Sequence, residues 1–66
     1  MTDLEKLKHL IEHWIEHNES HVKTYSEWAL KAESLGEAEL SEVMKQIAEE
    51  SRKLNSLFSK ALKIIK

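Results

Sequence analysis

Leu4, Leu7, Ile11, Trp14, Asn18, His21, Tyr25, Trp28, Ala32 and Leu35 follow one another at alternating steps of three and four residues. That spacing returns to one side of an α-helix each time and traces an a/d heptad stripe. Leu10, Ile15, Val22, Ala29 and Leu30 widen the stripe beyond a two-helix seam, toward the broad apolar face of a bundle helix. A second stripe runs through Leu40, Val43/Met44, Ile47, Glu50/Ser51, Leu54, Leu57/Phe58, Ala61 and Ile64/Ile65. The pattern predicts a helix over about residues 3–34, a turn at 35–36 and a helix over about 37–65.

The helix ends carry their own signals. Thr2-Asp3-Leu4-Glu5 matches a capping box, with Thr2 over the first turn and Glu5 reaching back to its amide. Gly36, the one glycine, suits the left-handed position that closes a helix, with Leu35 over the turn. Glu37, Glu39 and Glu42 begin the second helix and Lys60, Lys63 and Lys66 end it, which favours the helix dipole at both ends. The expected fold is therefore all-α: an antiparallel two-helix hairpin, one domain over residues 1–66. Two helices cannot enclose aromatic side chains such as Trp14, Trp28, Tyr25 and Phe58, so a homodimeric four-helix bundle is expected. The alternative is a monomeric three-helix bundle with the first arm bent near residues 17–20; the unbroken heptad count argues against it.

Composition narrows the function classes. No cysteine is present, so disulfides are excluded and a 66-residue chain is left with metal or association to strengthen a small core. Ten Lys and Arg against twelve Asp and Glu give a net charge of −2, no electrostatic footprint for nucleic acid. No apolar run reaches the ~18–20 residues of a membrane span, and no signal-peptide core opens the chain, so a cytoplasmic location is expected.

The candidate chemistry lies in His9, His13, His17 and His21, all the histidines of the chain, each four residues after the last. Side chains four apart share a helix face and can share a metal, and neutral imidazole suits Ni, Co or Zn. All four cannot meet at one ion, because each step turns by about 40°. In a hairpin closing at Gly36, residue i faces roughly residue 72 − i. His21 would then look across to Glu50 and Ser51, and Asn18 toward Leu54 and Asn55. One reading is a divalent transition-metal site of His17 and His21 with Glu50, helped by His13 and with a set completed from a partner chain by twofold symmetry. The competing reading is a hydrogen-bonded polar layer containing Asn18, Ser51 and Asn55 that fixes register. His9 and His13 alone read as solvated surface.

Catalysis is not expected. His13-Trp14-Ile15-Glu16-His17 fits H-x-x-E-H, in which two histidines hold zinc and the glutamate activates water. In a segment this rich in His and Glu the match is cheap, and the hairpin offers no third ligand beside a cleft. Neither arm carries the Glu-x-x-His of di-iron bundles, and no nucleophile or phosphate loop stands out. Two further roles are docking of another protein on the bundle surface and pH sensing, since clustered imidazoles repel when protonated below about pH 6.5.

The residues His13, Trp14, His17, Asn18 and His21, then Glu27-Trp28-Ala29, then Gly36, resemble a group of short prokaryotic helical-hairpin domains of unknown function. That group shares an H-W-x-x-H-N-x-x-H core, a later E-W-A and a glycine between helices. The resemblance spans nearly the whole chain and implies the hairpin and metal handling, with no assigned activity. His9 lies outside the pattern.

Overall fold

The computed structural model describes residues 2–65 and consists of α1, Asp3–Ser34, and α2, Ala38–Ile64, packed antiparallel. Thr2 caps α1: its side-chain oxygen accepts a hydrogen bond from the Glu5 amide at 3.2 Å. The return bond expected from the Glu5 side chain is not formed among the described residues, so the cap is half of the box. α1 runs unbroken through residues 17–20, where the bent alternative needed a break.

The turn is a Schellman motif. Gly36 sits at φ +82°, its amide donates to the Glu33 carbonyl at 3.0 Å, and the Glu37 amide donates to Ala32 at 3.0 Å. These bonds satisfy carbonyls that the end of α1 would leave bare, and a left-handed φ favours glycine.

The molecule measures 51 × 16 × 11 Å, so it is a single layer, one helix thick and two wide. Within that layer the heptad stripe of α1 divides. Ile11, Asn18, Tyr25 and Ala32, with Ile15, Val22 and Ala29, face α2 and are buried or half-buried. Trp14, His21 and Trp28, expected at the seam, turn to one flank and stay exposed. On α2 the buried positions are Ser41 and Ala48 instead of Leu40, Val43 and Ile47. The physical reason is the short turn. It holds the two backbones close, and small side chains let them approach where tryptophan would hold them apart. Ser41 shows how close: its hydroxyl, 1% exposed, donates across the seam to the Ala29 carbonyl at 2.8 Å.

The result is a lopsided hairpin. On one broad side, Arg52 reaches Ser26 at 3.4 Å and Lys45 reaches Glu33 at 3.5 Å and Glu42 at 3.4 Å. The Glu42 and Glu33 carboxylates hold the Lys45 ammonium above its usual pKa of 10.5. Helix periodicity sends Leu7, Leu10, Trp14 and Trp28 of α1, and Val43, Ile47, Leu54 and Leu57 of α2, to the other side. All eight are 41–59% exposed. Among the described residues, the apolar side chains buried between the helices are Ile11 and the alanines 29, 32 and 48. That is a thin core, worth little at ~25 cal/mol per Å² of apolar surface buried.

Candidate functional site

Halfway along the hairpin, both helices carry polar side chains, and the structure separates them into two groups. The first is internal. The half-buried Asn18 amide donates to the Ser51 carbonyl at 2.7 Å and to the Asn55 side-chain oxygen at 2.9 Å. Both of its N–H groups are used, and no buried side-chain nitrogen or oxygen among the described residues lacks a partner. Asn18, Ser51 and Asn55 thus form one hydrogen-bonded layer. A shift of either helix by one turn would break both bonds, so the layer fixes register.

The second group is a ladder of rings on the outer flank of α1. His13 stacks on His17 with centroids 6.1 Å apart and planes at 23°. His17 meets His21 edge-on at 4.5 Å and 85°. His21 stacks on Tyr25 at 5.8 Å and 13°. A four-residue spacing on a continuous helix produces this succession, and the three imidazoles stay exposed. His9 lies off the ladder, its Nδ1 3.9 Å from Glu12.

His21 does not look across to Glu50, as the seam register required. It points to the open side, while Glu50 pairs with Lys53 on its own helix at 3.4 Å. Among the described residues no three His, Asp or Glu side chains of one chain are gathered to hold a metal ion. His17 and His21 form the closest pair of imidazoles among the described residues, two ligands of the three or four that transition metals take from proteins. The expected pairing of residue i with roughly residue 72 − i holds elsewhere along the hairpin. Trp14 and Phe58 lie on it, their rings 6.2 Å apart.

Sequence reasoning missed Ser41 and placed Tyr25 only among core aromatics. The signal for Ser41 was available: Ala29, Ala32, Ser41 and Ala48 are small residues at helical spacing on either side of the turn. Such spacing marks close backbone approach.

A hairpin one layer thick, with one charged side and one apolar side, is an all-α helical-hairpin module in architecture. The chain belongs to the family described as a domain of unknown function, DUF8180, which matches residues 7–65 and so takes in most of α1 and all of α2. It is 36% identical over 62 residues to an uncharacterized protein of Archaeoglobus fulgidus, covering 94% of this chain and 98% of that one. No solved structure matches. Among the described residues, no helix is long and apolar enough to cross a membrane.

Proposed function

We propose that this protein is a non-catalytic association module: two hairpins close face to face into a homodimeric four-helix bundle. The observation that carries the reading is the one-sided exposure of large apolar side chains. The chain exposes 5261 Å², against about 4,300 Å² for a globular monomer of 7.7 kDa. The excess of roughly 900 Å² is close to the ~800 Å² that each partner buries in a standard protein interface. Eight large apolar side chains, 41–59% exposed on one side of a free monomer, invite association. A second copy is the occupant that fits, since its own matching face needs the same cover and twofold closure satisfies both at once. The archaeal relative supports the choice: the match takes in 98% of its length, so that protein has almost no other segment to lay over the hairpin.

Two residues test this. Trp28 on the open side is 57% exposed and Leu30 on the charged side is 65% exposed, so neither is buried within one chain. Trp28→Glu is expected to lower the melting temperature and remove its dependence on protein concentration. Leu30→Glu is expected to leave both near the parent values. Equal effects of the two substitutions, or a parent melt that ignores concentration, would contradict the reading.

A second reading, binding of a divalent transition metal such as Zn, Ni or Co, is favoured by the 4.5 Å approach of the His17 and His21 rings.

A further inference from the structure

We infer that this metal site is shared between two chains: His17 and His21 of one copy and Glu50 of the other hold one divalent cation, giving two equivalent sites per dimer. The inference rests on the dimer proposed above, because one chain supplies only the two imidazoles.

Two flat hairpins can lie face to face in two symmetric ways. A twofold axis that exchanges the apolar sides lies between them, along the helices or across them. With the axis across, the two turns sit at opposite ends, and each helix stacks on its own copy. Residues at mid-length then meet themselves. Glu50 is near the middle of α2, Ala38–Ile64, so the two Glu50 carboxylates would come together in an apolar interface. Like charges brought together there are costly.

With the axis along the helices, the turns sit at the same end and α1 stacks on α2 of the other copy. The two run antiparallel, at the same heights as within one hairpin. Residue i again faces roughly residue 72 − i, now across the interface. Trp28 meets Val43 and Trp14 meets Leu57, apolar against apolar. At the one level where both stripes are polar, His21 meets Glu50. Charge complementarity therefore selects this arrangement, and it delivers a carboxylate to the imidazole pair.

The ligand chemistry follows. Two neutral imidazole nitrogens and one carboxylate oxygen form a three-ligand set for Zn²⁺ or a similar first-row dication, with water at the fourth position. Each group can reach it. The imidazoles are exposed and make no hydrogen bond among the described residues. Among the described residues Glu50 is held only by Lys53 at 3.4 Å, in a pair with side chains 62% and 66% exposed, which is weak and easily released. Without a cation the same groups meet as a His–Glu hydrogen bond, so the interface tolerates either state.

The test uses the whole chain and Zn²⁺, followed by native mass spectrometry with sedimentation alongside. The parent is expected to carry two ions per dimer. Glu50→Gln, and separately His17→Ala with His21→Ala, are expected to stay dimeric and to bind Zn²⁺ at least about tenfold more weakly. All three side chains are exposed, so the variants should keep the parent's helicity by circular dichroism. Mixing the two variant chains is the decisive arm. Their heterodimer has histidines from one chain facing Glu50 from the other, and is expected to recover one ion at the parent's affinity. Unchanged binding in Glu50→Gln, or no recovery on mixing, overturns the shared site. A parent dimer that takes no Zn²⁺ overturns the site and leaves the dimer standing, whereas a monomer that binds Zn²⁺ overturns both.

Discussion

Asn18 and His21 stand three residues apart on α1, each interrupting the same apolar stripe, and the structure treats them in opposite ways. Asn18 turns inward, and both N–H groups of its amide are bonded across the seam, to Ser51 and Asn55. His21 turns outward onto the open side, where its neighbours are the rings of His17 and Tyr25. The step of three residues turns the helix by about 60° short of a full circle, enough to move a side chain from the seam to its flank. A polar group with its partners in place is a structural element, complete in one chain. A polar group left exposed on an apolar flank makes no hydrogen bond on which the hairpin depends. That contrast separates what the fold needs from what is free for function.

Removing the inner group should cost most. Asn18→Ala leaves the Asn55 side-chain oxygen and the Ser51 carbonyl without their donor and is expected to destabilise the protein by about 1–3 kcal/mol. The check is urea denaturation without metal. His21→Ala under the same conditions should fall within about 0.5 kcal/mol of the parent, since it breaks no bond inside the hairpin. Equal losses would erase the distinction between the two positions.

A double replacement sharpens it. Asn18→Leu with Asn55→Leu removes the donor and one of its two acceptors together and should cost less than Asn18→Ala alone, because only the Ser51 carbonyl then loses its cross-seam bond. Its cost should be looser register, read as broadened amide resonances along α1 and α2.

Gly36→Ala should cost about 1 kcal/mol through backbone strain at φ +82°. A Cβ there would meet nothing within 4 Å, so the penalty should be conformational alone and the same in every association state. The smallest effect should come from the charged side. Lys45 has its pKa raised by Glu42 and Glu33, so its contribution is present at neutral pH and is lost as pH rises through and above 10.5. Being exposed to solvent, it should be screened away by salt, and Lys45→Ala should melt with the parent in 1 M NaCl.

The same contrast explains what the sequence could and could not reveal. Thr2, Gly36 and the two heptad stripes announce the helices and the turn between them, because caps and periodicity are local signals. The choice of flank is not local. Ile15, Val22 and Ala29 lie on one side of the α1 stripe and Trp14, His21 and Trp28 on the other, and both sets have helical period. Size suggested the tryptophans for the seam, yet the short turn favoured small residues there, as Ala29, Ala32, Ser41 and Ala48 show. The Asn18 layer was legible because two polar interruptions at matching heights must either pair or pay for desolvation. The setting of the histidines was not, because the choice of flank leaves His21 and Glu50 level on the same open side without meeting inside one chain: His21 lies against His17 and Tyr25, and Glu50 pairs with Lys53.

The central claim is that the open apolar side is covered by a second copy of the chain, and mass in solution tests it most directly. Sedimentation equilibrium of the metal-free protein at micromolar concentration should return twice the chain mass of 7.7 kDa, dissociating only on dilution. A single species of 7.7 kDa, with a cooperative melt independent of concentration, would contradict it.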